Sequence, residues 1–234
     1  MAVKIFESEV LDNKMLTPSV VNLKYSLPKD FDFTPGQYLS IARMENGKKL
    51  RTPYSIAETP GKGFGKFCIR VQKIGKTSEY ISKLRKGDKI ELFGPLGKFI
   101  VADSSKKKDL IFTSTGTGIS AFISMIPYLL EKGFKKKLIF IKGFRNEDEI
   151  LYDKEFTELE KKYRNFKFYN VLSQPKNPNF ENKGYVQNFI DKYTPKNFTG
   201  HFYLCGLKEM IGSVVEKLEK SGFEKDRIFF EKYD

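Results

Sequence analysis

Histidine and cysteine are scarce in this chain, which holds one of the former, His201, and two of the latter, Cys68 and Cys205. One histidine cannot complete a structural zinc site, and two thiols cannot ligate a four-cysteine iron–sulfur cluster. No metal site is expected, and a disulfide framework is excluded on the same count. Redox chemistry here needs an organic cofactor. Long apolar runs are missing too: the longest, Ile119 to Leu130, is interrupted by Ser120, Ser124 and Pro127. A bilayer span takes about 20 mostly apolar residues, so no membrane helix is expected. The opening MAVKIFESEV has no apolar signal core, so a cytoplasmic chain is expected.

What remains is an ordinary folded composition. The 234 residues are 40% hydrophobic and 30% charged, enough for one or two domains at about 150 residues each. The formal net charge is +13. Residues 1–101 hold 18 Lys+Arg against 10 Asp+Glu, and the rest hold 24 against 19. The excess is therefore spread over both halves, without the clustered basic element of a nucleic-acid binder. It reads either as a solvated basic surface or as a face that steers an acidic partner or a phosphorylated cofactor.

The two halves differ in rhythm. In the first hundred residues, short runs at 20–25, 37–42, 54–57, 66–72 and 89–93 alternate or are β-branched, and Pro, Gly or Asp separates most of them. One helix, Ser78 to Arg85, interrupts a pattern that suggests a small barrel. From Leu110 onward, strands at 110–113, 138–141, 167–172, 201–205 and 228–230 alternate with helices at 119–131, 154–162, 187–192 and 208–220. That alternation implies a parallel sheet wound on both sides. The seam falls at Ala102 to Lys108.

Several short constellations have chemistry attached to them. Thr115-Gly116-Thr117-Gly118-Ile119-Ser120-Ala121 follows a strand and opens a helix, fitting G-x-G-x-x-A. Its glycines let a pyrophosphate approach the helix start; a plain tight turn is the other reading. The acidic residue expected after the second strand is replaced by Lys142-Gly143-Phe144-Arg145, a basic stretch that tolerates a 2′-phosphate or is a surface turn. Arg51-Thr52-Pro53-Tyr54-Ser55 offers a guanidinium for phosphate oxygens, a ring for a flat heterocycle and a hydroxyl for a ring nitrogen. Gly75-Lys76-Thr77-Ser78 sits at a helix start, where Thr77 or Ser78 is an N-cap or part of a second pyrophosphate cradle. Gly94 to Gly97 reads as a turn. Cys205-Gly206-Leu207-Lys208-Glu209-Met210 places a cysteine at the end of a parallel strand, as a core filler or facing a ligand crevice. Fraying is expected of the tail, Phe229 to Asp234.

In their order along the chain, Pro35-Gly36-Gln37-Tyr38, Arg51 to Ser55, Gly75 to Ser78, Gly94 to Gly97, Thr115 to Ile119, Cys205 to Met210 and Glu231-Lys232-Tyr233 resemble the ferredoxin–NADP reductase superfamily. The resemblance covers nearly the whole chain. It implies an N-terminal antiparallel flavin-binding β-barrel over residues 1–101, then a parallel-sheet α/β nicotinamide-binding domain over 106–234. It implies FAD and NADP(H) as cofactors, hydride transfer from NADPH to the flavin, and release of single electrons to a separate acidic ferredoxin or flavodoxin. Arg51, Pro53, Tyr54 and Ser55 would hold the flavin, with Ser55 near flavin N5, and Lys76, Thr77 and Ser78 its pyrophosphate. Gly116, Thr117, Gly118 and Gly206 would receive the dinucleotide, with Cys205 and Glu231 beside the nicotinamide and Tyr233 as the terminal aromatic over the flavin. Ser173, Lys183, Tyr185 and Arg145 would meet the adenine and 2′-phosphate. Four departures stand out. The usual Arg-x-Tyr-Ser has one extra residue here, Ala121 stands where the family commonly has proline, Gln174 stands where NADP-specific members carry arginine, and Asp234 extends past Tyr233. The lone His201 is expected to be structural. An NADH-dependent reductase component of an oxygenase, or an NAD(P)H–flavin reductase, is the alternative reading. A basic nucleic-acid-binding module is disfavoured by the dispersed charge.

Overall fold

The computed structural model describes residues 3–72 and 76–233. The chain divides into two compact units, residues 1–100 with 120–128, and residues 101–119 with 129–234.

In the first unit, β1 (Lys4–Thr17), β2 (Val20–Ser26), β3 (Tyr38–Glu45), β4 (Lys48–Ser55), β5 (Phe64–Arg70) and β6 (Lys89–Leu96) form one antiparallel sheet, joined by helix α1 (Lys76–Lys83). The strand order is β4-β3-β6-β1-β2-β5. The sheet curls until its edges meet, where the Ala57 N–H just past β4 donates to the Lys66 carbonyl of β5 at 2.9 Å. Inside lies an apolar cluster that includes Val10, Leu23, Tyr25, Leu39, Ile41, Phe67, Ile81 and Leu92. This matches the expected barrel.

Three details differ from expectation. The longest strand, β1, escapes the pattern because its inward residues are Phe6, Ser8 and Val10 while Ile5 faces out, and a bulge after Val10 then breaks the period. The fourth strand starts at Lys48, six residues before the apolar run at 54–57. Asn46 and Gly47 (φ 50° and 74°) make the two-residue hairpin turn that pairs Lys48 with Glu45, so the charged stretch is strand by pairing. Gly94 and Pro95 lie within β6, where the ladder to β3 shifts register between Tyr38 and Ser40. Such bulges are where a sheet tolerates proline.

The second unit carries β7 (Leu110–Thr115), β8 (Leu138–Phe144), β9 (Phe166–Leu172), β10 (His201–Leu207) and β11 (Ile228–Tyr233), with helices α3 (Asp153–Lys162), α4 (Ile190–Tyr193) and α5 (Lys208–Lys220); helix α2 (Ile119–Glu131), which follows β7, falls with the first unit over residues 120–128. All four strand pairings are parallel, in the order β11-β10-β7-β8-β9. The chain winds outward from β7 in one direction, then returns to β10 and winds the other way. Their buried apolar runs are what a sheet covered on both faces requires. The tail does not fray: β11 pairs with β10 through Tyr233. Among the described residues, no helix is long and apolar enough to cross a membrane.

Candidate functional site

In an open parallel sheet, ligands bind outside the carboxyl ends of the strands at the point where strand order reverses. Here that point lies between β7 and β10. After Thr115 a 3-10 turn, Gly116–Gly118, leads into the 13-residue α2. Gly116 has φ 52° and Gly206 has φ 144°. A Cβ on Gly118 would lie 2.4 Å from the Cys205 carbonyl oxygen, and one on Gly206 would lie 2.5 Å from Thr115 Oγ1. The two strand ends therefore approach more closely than side chains permit. The glycines let the turn pack against the end of β10 and leave bare backbone at a helix start in the strand-end crevice, an arrangement that fits a pyrophosphate.

Cys205, Glu231 and Tyr233 come together beside this crevice. Parallel register pairs Cys205 with Ser114 on one side and with Glu231 on the other, and Leu207 with Tyr233. Cys205 is fully buried, and burial, with the Glu231 charge beside it, pushes its thiol well up, while a side-chain hydrogen bond with Tyr233 pulls the other way. At neutral pH it is a thiol, not a thiolate nucleophile.

The carboxyl ends of β8 and β9 gather another group. The Ser173 and Gln174 amides donate to the carbonyls of Phe144 and Arg145, and the Gly184 amide to that of Leu172. Exposed Arg145 donates from Nε to Gln174 Oε1 at 2.9 Å. Lys183, bridged to Leu172, and Tyr185, 62% exposed, flank them. Lys142 does not join this group. Its side chain is fully buried and pairs with Asp153 at 2.9 Å. The neighbouring acidic residues are also engaged, Glu147 by the Lys176 and Asn177 amides and Asp148 by the Lys176 ammonium. His201 packs in the same unit, with Nδ1 2.7 Å from Ser105 Oγ.

In the first unit, Tyr54 is half-buried against the barrel cluster, its ring 5.6 Å from that of Phe67. Burial raises its hydroxyl to about 12, while the Arg43 charge works against that rise. Ser55 is buried at the end of β4, directly after half-buried Tyr54 and two residues after exposed Pro53. Lys76 opens α1, so Thr77 and Ser78 lie in its first turn and are not N-caps. Ser78 Oγ accepts from the Gln72 amide at 3.1 Å, and Thr77 Oγ1 accepts from Arg43 Nε at 2.8 Å and from Thr52 Oγ1 at 3.0 Å. Gly75 and Asp234 lie outside the described residues. Arg51 is not part of this group. It points from β4 toward Glu91, 3.5 Å away, and lies 4.8 Å from the Phe93 ring. A guanidinium, a helix start, two hydroxyls and a half-buried ring form a donor set that fits a flavin bearing phosphate. Arg43 is the member of it that the motifs missed. The signal was present in the Asn46-Gly47 turn, which fixes the pairing of β3 with β4.

Comparison with known proteins follows the same division. Residues 7–100 match the oxidoreductase FAD-binding domain, and residues 112–216 match the oxidoreductase NAD-binding domain. A solved ferredoxin–NADP+ reductase from Plasmodium falciparum superposes with a TM-score of 0.82 at 25% identity, over 98% of this chain and 96% of its own. The chain belongs to the ferredoxin–NADP reductase superfamily. Within it, ferredoxin–NADP reductase B of Sorangium cellulosum is 28% identical over 98% of each chain. The reductase component DmpP of a phenol 2-monooxygenase from a Pseudomonas species is 33% identical over 93% of this chain, of whose length the alignment covers 62%. This superfamily member is thus built to bind FAD and a pyridine nucleotide.

Proposed function

We propose that this chain takes electrons from NADPH and delivers them singly to a separate, acidic electron carrier of the ferredoxin or flavodoxin type, in the cytoplasm. The observation that carries the reading is the glycine-lined crevice at the β7–β10 reversal with Cys205, Glu231 and Tyr233 beside it. Bound FAD would supply the chemistry, uptake of a hydride and release of single electrons. The residues orient and exclude water, and that suits hydride transfer, which depends on reacting atoms held about 3–3.5 Å apart. In this reading Tyr54 would stack on the flavin ring, Ser55 would hydrogen-bond a ring nitrogen, and Lys76, Thr77 and Ser78 would hold its phosphates. Gly116, Thr117, Gly118 and Gly206 admit the dinucleotide. Neutral Cys205 and half-buried Glu231 shape the nicotinamide pocket.

Preference for the 2′-phosphate is supported by exposed Arg145 and Lys183, with Ser173 at the end of β9 beside them. The net charge of +13 supports an acidic acceptor through long-range attraction. An NADH-dependent reductase component of an oxygenase is the second reading. It is favoured by Gln174, which occupies the Arg145 guanidinium, and by the likeness to the phenol 2-monooxygenase component. An absorption spectrum followed by anaerobic titration decides between them. The purified protein should be yellow, and NADPH should bleach it at lower concentration than NADH. Bleaching by NADH at the lower concentration selects the second reading, and failure to retain any flavin after reconstitution overturns both.

A further inference from the structure

The usual Arg-x-Tyr-Ser spacing places its arginine two residues before the tyrosine, on the same face of the strand, because side chains alternate. In this chain that position is Thr52. Arg51, one residue earlier, belongs to the opposite face. The ladder makes this explicit: Tyr54 pairs with Leu39, Thr52 with Ile41 and Leu50 with Arg43. Leu39 and Ile41 are core residues of the barrel, so Arg43 continues the inward row of β3. Arg51 pairs with Ala42 and shares the outer face with Glu91 and Phe93.

Arg43 is built in. Its side chain is 13% exposed, against 38% for that of Arg51. Nε donates to Thr77 Oγ1 in the first turn of α1, and an Nη donates to Glu45 at 2.7 Å. Glu45 also pairs with Lys76, the first residue of α1. Thr52, standing where the motif arginine would stand, donates to the same Thr77 oxygen. With two donors already on that oxygen, the Thr77 hydroxyl offers its own proton outward. The Arg43–Glu45–Lys76 group carries net charge +1 at the start of a helix, and the Arg43 charge reaches the Tyr54 hydroxyl.

The geometry points to Arg43, delivered from the neighbouring strand, as the residue that binds the phosphate of FAD in place of the displaced Arg51. This rests on the flavin reading above. It names a cation relocated across one rung of the ladder, with Thr52 filling the vacated position and Thr77 joining the two.

The test is FAD binding to apoprotein, read by quenching of flavin fluorescence. Losing a charge-assisted contact should weaken FAD binding in Arg43→Ala about 10- to 100-fold. Arg43→Lys should recover part of the loss, and Arg51→Ala should stay within about threefold of wild type. Raising KCl should weaken binding less steeply in Arg43→Ala than in wild type, a change that loosened packing alone would not produce. The melting temperature of each apoprotein checks folding, and Arg43→Lys carries the comparison if the alanine variant does not fold. A larger loss in Arg51→Ala than in Arg43→Ala, or parallel salt profiles with no rescue by lysine, overturns the assignment and leaves the flavin reading intact. Wild-type apoprotein that takes up no FAD overturns the flavin reading itself.

Discussion

Lys142 allows a sharp test of how a buried charge is held in this fold. Its ammonium is fully buried, donates to Asp153 at 2.9 Å and to the Leu151 carbonyl at 3.3 Å, and lies 4.7–5.9 Å from the rings of Phe168, Phe156 and Phe144. Removing the partner of a buried charge costs about 3–5 kcal/mol when both are sealed from water. The Asp153 side chain is 48% exposed, so water screens part of that loss, and about 2 kcal/mol is expected for Asp153→Asn. Lys142→Met keeps the stem among the rings and removes the charge, so it should fall within about 1 kcal/mol of wild type. Lys142→Ala adds a cavity and should cost about 2–5 kcal/mol. At roughly 2–4 °C per kcal/mol, Asp153→Asn should melt about 4–8 °C below wild type, with Lys142→Met close to it.

The pH dependence has a definite sign. Burial lowers the Lys142 pKa despite Asp153, so the folded state holds fewer protons than the unfolded state between that lowered value and 10.5. Stability from this group therefore rises with pH through that window. Without Asp153 the lysine pKa drops further, so the deficit of Asp153→Asn should shrink as pH rises from 7 toward 10. On the acid side, burial opposes but the Asn170 hydrogen bond and the Lys142 charge hold Asp153 below 3.8. Its contribution is present above that value and is lost as pH falls through the lower folded one. Thermal denaturation of the three variants across this range is the assay. Asp153→Asn melting with wild type, or Lys142→Met melting below Asp153→Asn, would refute the reasoning.

Two further outcomes follow from individual atoms. The Tyr25 hydroxyl is fully buried without a hydrogen-bond partner among the described residues, so Tyr25→Phe should raise the melting temperature by about 2–4 °C; a lower value would mean that the hydroxyl is satisfied. Gly206→Ala would set a Cβ 2.5 Å from Thr115 Oγ1 at φ 144°, so NADP+ binding followed by difference spectroscopy should weaken at least about 10-fold while bound FAD is retained. Wild-type NADP+ affinity in that variant would remove the crevice from the nucleotide site.

The architecture was legible because its signals are local. The ends of α2 and α5 fall where the apolar periodicity and the glycine-rich turns put them. Strand β1 was not, since two of its three inward positions before the bulge are small or partly covered and its outward positions carry both charge and Ile5. Site residues divide along the same line. The Thr115–Gly118 turn is contiguous and was read directly. The exclusion of Lys142 from the strand-end cluster depends on which way one side chain turns, and the role of Arg43 depends on register across two strands. Neither is visible in a linear motif, although the Asn46-Gly47 turn fixes the register that reveals Arg43.

The carboxyl-terminal strand lies at the margin of its sheet and has a single ladder, to β10. It also carries Glu231 and Tyr233, so the side chains beside Cys205 stand on a strand held along one edge only. Local opening there is cheaper than unfolding the unit, and a ligand that needs the strand in place must suppress it. Amide exchange along residues 229–233 is therefore a colourless gauge of occupancy, slowing when the nucleotide arrives whether or not any electron moves.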